Sequence, residues 1–221
     1  YHASLDKSRR GNYFWIVDSQ VLNELQKTLG ITFHDPTLLQ QALVHRSYLH
    51  ENPDFTLPSN ERLEFLGDAV LGIVIAEKLY TDYPDLPEGD MTKLRSTLVR
   101  RETLARMARS HMNLSEHLYL GRGEIASGGC TKPSILAGAF EAVLGAVFLD
   151  RGFVVCRRLV LRLYDGEWGR VAERTSSSDF KSRLQEVVKS KYHKIPVYKV
   201  GGEVGPDHEK EFTVEFSVGE R

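Results

Sequence analysis

The stretch from Asn60 to Leu71, with the sequence NERLEFLGDAVL, constrains the fold of this chain more than any other segment. Its carboxylates Glu61, Glu64 and Asp68 are separated by three and four residues. At about 3.6 residues per turn, this spacing predicts a helix with all three on one stripe. Like charges so placed destabilise a helix by about 0.2–0.5 kcal/mol per pair. A cation held between them would reverse that effect.

A second acidic position lies much further along the chain. Residues Ser134 to Gly145, with the sequence SILAGAFEAVLG, predict a helix of small and apolar residues that carries Glu141 as a single carboxylate. Taken alone, this pattern favours a glutamate that reaches solvent from the helix face.

Both segments resemble the signature segments of the ribonuclease III family, the metal-dependent endonucleases that cut double-stranded RNA, and the resemblance extends over nearly the whole chain. It implies a Mg²⁺ site, in which Mn²⁺ can substitute, with Glu64, Asp68 and Glu141 as ligands. It also implies catalytic roles for Asp68 and Glu141 and for the further acidic positions Glu61 and Glu88. For Glu88, a first-turn glutamate favoured by the helix dipole is an equally good interpretation.

This chain departs from the family pattern at one site position. The family usually has an aspartate three residues before the second acidic position, where this chain has Gly138. Two hypotheses follow. The first is a Mg²⁺-dependent endoribonuclease that leaves 5′-phosphates and 3′ overhangs and acts in rRNA and mRNA processing. The alternative is a double-stranded-RNA-binding protein whose catalysis is weakened or lost through Gly138.

The predicted fold is mainly α, with two parts. Residues 1–175 are expected to form an all-helical endonuclease domain, of which 1–14 are a loose extension. The predicted helices include 60–80, 89–110, 134–149 (stopped by Gly152) and 154–173. Residues 179–221 resemble the start of an α-β-β-β-α double-stranded-RNA-binding domain, as a truncated module with a helix at 179–192 and strands at 195–200 and 211–218, joined through glycines.

Candidate RNA contacts come from both parts of the chain. In the first part they are His45, Arg46 and Lys132, the last of which follows a glycine-rich segment, 121–129, interpreted as a flexible loop. No G-x-G-x-x-G spacing occurs, so no nucleotide cofactor is expected. In the second part the resemblance implies contacts from one helix face and one loop: Ser182, Gln185, Glu186 and His208.

The composition limits which cellular compartment and which binding partners can be expected. The net charge is −1 and hydrophobic residues make up 41%, which predicts a packed core and does not by itself indicate nucleic acid. Two cysteines, Cys130 and Cys156, are too few for a disulfide framework, so a cytoplasmic location is expected. No apolar run reaches about 18 residues, and no membrane association is expected.

The resemblance also implies a two-fold symmetric homodimer with the signature helices near the shared surface. Phe65, Leu66, Val70 and Ile73 lie beside the acidic stripe. Their periodicity favours burial in the core, whereas the resemblance places some of them against a second subunit.

Overall fold

Helices form nearly all of the first part of the chain. The structure is a computed structural model that describes residues 19–168, 188–191, 193, 197–204 and 211–217. Two units divide between Asp165 and Gly166. The described helices of the first unit are α1 (Ser19–Leu29), α2 (Pro36–Ala42), α3 (Arg46–Glu51), α4 (Glu61–Asp82), α5 (Glu88–Leu98), α6 (Arg101–Met112), α7 (Arg122–Ala126) and α8 (Pro133–Leu163).

The core of this unit is centred on α8, which packs against α4 and α6. A helix that is apolar on all sides is stable only when other elements surround it. In α8 the buried residues include Leu136 and Phe140, both fully enclosed. On α4 the buried stripe includes Leu63, Leu71 and Ile75. The prediction of a mainly helical protein is confirmed for this unit.

The predicted helix over 89–110 was wrong, because the structure has two helices there. The backbone is extended at Arg100, with φ −67° and ψ 150°, between α5 and α6. Side chains supply donors to carbonyls at the end of α5: the Tyr164 hydroxyl donates to the Leu98 carbonyl at 3.1 Å. The Thr103 hydroxyl donates to the Thr97 carbonyl at 3.0 Å. The helix can therefore end here without leaving these two carbonyl groups unsatisfied.

Gly152 interrupts α8 as predicted, with φ 78° and ψ 173°. The helix resumes immediately afterwards, so the two predicted helices form one kinked element. The predicted continuation to residue 173 lies outside the described residues from 169 onward.

The interpretation of residues 121–129 as a flexible loop was also wrong. Residues Arg122–Ala126 form α7, and Gly129–Thr131 form a 3-10 turn. The Gly121 N–H donates to the Ser47 hydroxyl at 3.0 Å, which fixes the start of this segment. Glycine cues for a turn do not exclude a short helix when side chains from elsewhere supply such bonds.

The second unit contains an antiparallel pair of strands, β1 (Val197–Val204) and β2 (Glu211–Ser217). The glycines 201–202 were expected to join the strands, but they lie inside β1, where the register shifts between Val200 and Gly202. Residues 188–191 are helical, and the rest of the predicted helix lies outside the described residues, as do residues 1–14. The assignment of an RNA-binding module to 179–221 stays a prediction.

Among the helices that the structure describes, none combines the length and the apolar character needed to cross a membrane.

Candidate active site

Two glycines bring the backbones of α4 and α8 together. A Cβ atom on Gly67 would lie 1.8 Å from the carbonyl oxygen of Glu141. A Cβ atom on Gly145 would lie 2.2 Å from the carbonyl oxygen of Leu63. Only glycine permits such close approach of two helices. Gly67 lies between Glu64 and Asp68 in sequence, so this crossing brings both carboxylates close to Glu141.

Glu64 lies in the space that a side chain at position 138 would fill. A Cβ atom on Gly138 would be 2.8 Å from Oε2 and 3.0 Å from Oε1 of Glu64. Gly138 is buried and Glu64 is half-buried. The glycine that departs from the family pattern therefore provides room for a carboxylate from the neighbouring helix.

The pKa values of these carboxylates reflect their proximity. Burial, followed by the charges of Asp68 and Glu64, raises the pKa of Glu141 to about 8. Burial, followed by the charges of Glu61 and Asp68, raises the pKa of Glu64. Mutual repulsion in a partly buried setting favours the protonated form of each carboxyl group. The same crowding of negative charge favours a bound cation.

The carboxylates of Glu64, Asp68 and Glu141 interact electrostatically but do not form a complete set of metal ligands. In the described part of the chain, no group of three or more His, Cys, Asp or Glu side chains is arranged to hold a metal ion. The donor set nevertheless suits a hard divalent cation, because Mg²⁺ prefers carboxylate oxygens and retains several waters. Glu64, Asp68 and Glu141 therefore have the donor chemistry that Mg²⁺ or Mn²⁺ would require.

The two remaining acidic candidates have different surroundings. Glu61 is exposed, accepts a hydrogen bond from the Ser59 hydroxyl at 2.8 Å and contributes to the raised pKa of Glu64. Glu88 is exposed at the start of α5 and accepts a hydrogen bond from the Thr92 hydroxyl at 3.0 Å. Glu88 is not among the groups that shift the pKa of Glu64 or Glu141. The structure thus brings Glu61, but not Glu88, into the electrostatic field of the carboxylates.

A cleft of about 430 Å³ is lined by all three RNA-contact candidates of the first unit, which are His45, Arg46 and Lys132. His45 precedes α3, and its Nδ1 accepts a hydrogen bond from the Ser47 N–H at 3.2 Å. The Arg46 guanidinium lies 3.7 Å from Glu61, so this cleft adjoins the acidic stripe of α4. We define this surface as the His45 cleft.

Glu124 controls the charge of the His45 cleft. Its Oε1 lies 2.5 Å from the Lys132 ammonium, and the hydrogen bond from Lys132 is the main cause that lowers the pKa of Glu124. Burial lowers the pKa of His45, an effect that the charge of Glu124 opposes and that of Arg46 reinforces. The cleft therefore contains two partly compensated cations, Arg46 beside Glu61 and Lys132 beside Glu124.

Sequence reasoning assigned no role to two residues that position this site. Asn60 is only 4% exposed, and its backbone and side-chain N–H groups donate to the carbonyls of Val44 and Ala42 at 2.8 and 3.2 Å. Glu124 was noted only as part of a glycine-rich segment. The sequence signal for Asn60 is an asparagine directly before the acidic helix, a position that favours this residue type.

The remaining candidates are the apolar residues beside the acidic stripe and the predicted RNA contacts of the second part. Phe65 and Ile73 are 81% and 57% exposed, so periodicity was wrong for them. Val70 is buried as periodicity predicted, and Leu66 is half-buried. The predicted RNA contacts of the second part lie outside the described residues: Ser182, Gln185, Glu186 and His208.

Comparison with known proteins decides the family. A family model described as ribonuclease-III-like matches residues 35–165. Ribonuclease 3 of Dehalococcoides mccartyi strain CBDB1 is 49% identical over 200 residues, which cover 90% of this chain and 84% of that protein. The chain belongs to the ribonuclease III family. The resemblance drawn from the sequence is therefore confirmed.

Further ribonuclease III proteins extend this result to other bacteria and to solved structures. Ribonuclease 3 of Thiobacillus denitrificans is 48% identical over 191 residues, 86% of this chain and 81% of that protein. The nuclease domain of ribonuclease III from Campylobacter jejuni superimposes with a TM-score of 0.61 and 39% identity, covering 66% of this chain and 96% of that domain. In that protein a region involved in dimer formation shows structural flexibility.

Proposed function

We propose that this chain hydrolyses phosphodiester bonds of double-stranded RNA at the carboxylates of α4 and α8, using Mg²⁺ or Mn²⁺. Membership of the ribonuclease III family makes it a double-stranded-RNA endoribonuclease. The observation that carries the assignment of the site is the pKa of Glu141, which burial and then the charges of Asp68 and Glu64 raise to about 8. Residues distant in sequence thus share one electrostatic site.

The chain's own residues would prepare this site in three ways. Glu64 and Glu141, from different helices, would hold the cation between them, and Asp68 would bind it or orient its water. A divalent cation bound by carboxylates activates water, neutralises phosphate charge and stabilises the leaving oxygen. The partly buried setting of Glu64 and Glu141 limits competing water and strengthens these charge interactions.

The His45 cleft supplies the contact with substrate in this proposal. Arg46 and Lys132 would bind phosphates beside the carboxylates, and Arg46 reaches towards Glu61 at the edge of the acidic stripe. Cutting of both strands would leave 5′-phosphates and 3′ overhangs, as in the processing of rRNA and mRNA precursors.

The alternative, an RNA-binding protein without cleavage, is not favoured. It depended on the loss of one carboxylate at Gly138, but both carboxylate oxygens of Glu64 lie within 3.0 Å of the Cβ position there. The cluster therefore keeps an oxygen donor in the region that the missing side chain would have occupied.

A second copy of the chain would complete the enzyme. Phe65, Ile73 and Tyr80 on α4 are 81%, 57% and 76% exposed. Their places along the helix put them on one face, which we name the α4 apolar stripe. Exposed apolar stripes of this kind are typical of protein interfaces. We propose that two α4 stripes pack together in a two-fold symmetric homodimer, consistent with dimer formation by the Campylobacter jejuni nuclease domain.

Cleavage of labelled duplex RNA, with and without Mg²⁺, tests the proposed function. The wild-type protein should cut only with the metal. Glu141→Gln should abolish cutting while leaving duplex affinity within about twofold, or about 0.4 kcal/mol. Glu77→Gln, on the same helix as Glu64 but outside the cluster, serves as the control and should cut normally. A wild-type protein that binds duplex but never cuts at any Mg²⁺ or Mn²⁺ concentration would contradict the proposal.

A further inference from the structure

A second cleft in the first unit is lined by arginines. It has a volume of about 510 Å³ and lies between residues 29–32 and the part of α8 around and after the Gly152 kink. The arginines that line it are Arg151, Arg158 and Arg162. None of its lining residues, all within 19–168, carries a carboxylate, and none belongs to the candidate active site.

Two of these arginines are fixed by the loop that forms the opposite wall. The Arg151 guanidinium donates to the Thr32 carbonyl, and the Arg162 guanidinium donates to the Leu29 carbonyl. Gly30 has φ +60°, and a Cβ atom there would lie 3.0 Å from Nη1 of Arg162. The loop is therefore shaped around Arg162, which holds the guanidinium in place.

These bonds leave most of the donors in the cleft for a ligand. Each guanidinium carries five N–H groups in a planar fork, and a bond to one carbonyl uses only part of that set. Arg158 is exposed and, among the described residues, makes no hydrogen bond or ion pair. Its neighbour Arg157 instead lies 2.6 Å from Glu77. Positive charge is thus concentrated where no carboxylate lines the cleft to compensate it.

We propose that this arginine cleft binds phosphate groups. Arginine forks match phosphate oxygens through paired hydrogen bonds, and preorganised guanidiniums lose less entropy on binding than free side chains. The phosphates come either from the backbone of a duplex RNA that extends past the active site or from a free oligophosphate. The first source rests on the proposed function, and the second is independent of it.

Thermal unfolding in metal-free buffer with tripolyphosphate tests the shared chemistry. Tripolyphosphate should raise the Tm of the wild-type protein and of Arg157→Ala, and the rise should be clearly smaller for Arg158→Ala. Arg157→Ala removes the same charge from the adjacent position outside the cleft. Binding of the probe at the His45 cleft is common to all three proteins, so the difference between the two variants reports on the arginine cleft.

Measurement of the affinity for duplex RNA at several salt concentrations distinguishes phosphates of the RNA backbone from a free oligophosphate. If the RNA backbone is the ligand, Arg158→Ala should reduce the slope of log K against log salt by about one relative to Arg157→Ala. An unchanged slope together with a reduced Tm rise identifies a free oligophosphate. Equal Tm rises and equal slopes in both variants overturn the inference. If the wild-type protein still cuts duplex RNA normally, the proposed function stands although the inference about the arginine cleft has failed. The failure of one can therefore be distinguished from the failure of the other.

Discussion

The carbonyl oxygen of Glu141 lies 1.8 Å from the point where a side chain on Gly67 would begin. The residue whose carboxyl pKa rises to about 8 is thus also the residue whose backbone touches the other acidic helix. Packing and electrostatics depend on the same contact, and a change at Gly67 should affect both.

We expect Gly67→Ala to lower the free energy of unfolding by about 1–3 kcal/mol or more, because the added methyl group overlaps the Glu141 carbonyl. It should also separate α4 from α8 and slow RNA cutting. Chemical denaturation and cleavage rates measure the two effects. Gly89→Ala is the matched control, since nothing lies within 4 Å of its Cβ position. Stability equal to wild type in Gly67→Ala would contradict the close approach.

The metal-free protein should lose stability as pH rises. The folded-state pKa of Glu141 is raised from 4.5 to about 8. Between these values the folded state binds a proton that the unfolded state has released, so its stabilising contribution is fully present below about pH 4.5 and is lost as pH approaches 8. We expect wild type to lose at least about 1 kcal/mol relative to Glu141→Gln from about pH 5 to about pH 8, after discounting for partial solvent access.

Denaturant titrations of both proteins in the presence of a chelator measure this difference. Parallel pH profiles for wild type and Glu141→Gln would show that Glu141 titrates normally. Addition of Mg²⁺ at about pH 8 should raise the stability of wild type more than that of the variant, because a ligand that binds only the folded state stabilises it.

Substitutions at Gly138 should separate the steric from the ligating role of that position. Gly138→Ala displaces the Glu64 carboxylate without adding an oxygen. We expect it to raise the Mg²⁺ concentration for half-maximal cutting about two- to tenfold, or about 0.4–1.4 kcal/mol. Gly138→Asp adds a carboxylate and should lower that concentration below the wild-type value. Metal titrations of cleavage rate measure both, and a higher requirement in Gly138→Asp would mean that the displacement of Glu64 dominates.

Replacement of Phe65 by arginine should dissociate the proposed homodimer. Phe65 is 81% exposed on the α4 apolar stripe, and a charge buried there without a partner opposes association. Sedimentation velocity should show a monomer for Phe65→Arg. Ile125→Arg is the control, since Ile125 is 52% exposed outside the stripe. A wild-type protein that sediments as a monomer at all concentrations would argue against the dimer.

Local pattern was sufficient to predict the helices whose periodicity agrees with their packing. The acidic stripe of α4 and the break at Gly152 both follow from residue spacing and backbone preference. The break between α5 and α6 could not be predicted in this way. It depends on bonds from Tyr164 and Thr103, and Tyr164 lies 66 residues from its partner Leu98.

The candidate site, too, could be predicted from the sequence only in part. The family resemblance predicted which carboxylates form the site, but spacing could not show that Gly138 accommodates Glu64, because that contact joins two helices distant in sequence. Lys132 was predicted as a source of positive charge, whereas its pairing with Glu124 depends on the fold of residues 121–132. Periodicity assigned Phe65 to the core because it measures only where apolar residues recur, not which of them the fold leaves exposed.

Asn60 has a consequence for where such an enzyme cuts. Its two hydrogen bonds join the segment that leads into the His45 cleft to the first turn of the acidic helix. If RNA binds in the His45 cleft as proposed, it would meet the carboxylates at a fixed offset along its backbone. We therefore expect the distance from the bound phosphates to determine which phosphodiester bond is cut. The hydrogen bonds of the buried Asn60 would keep that distance constant.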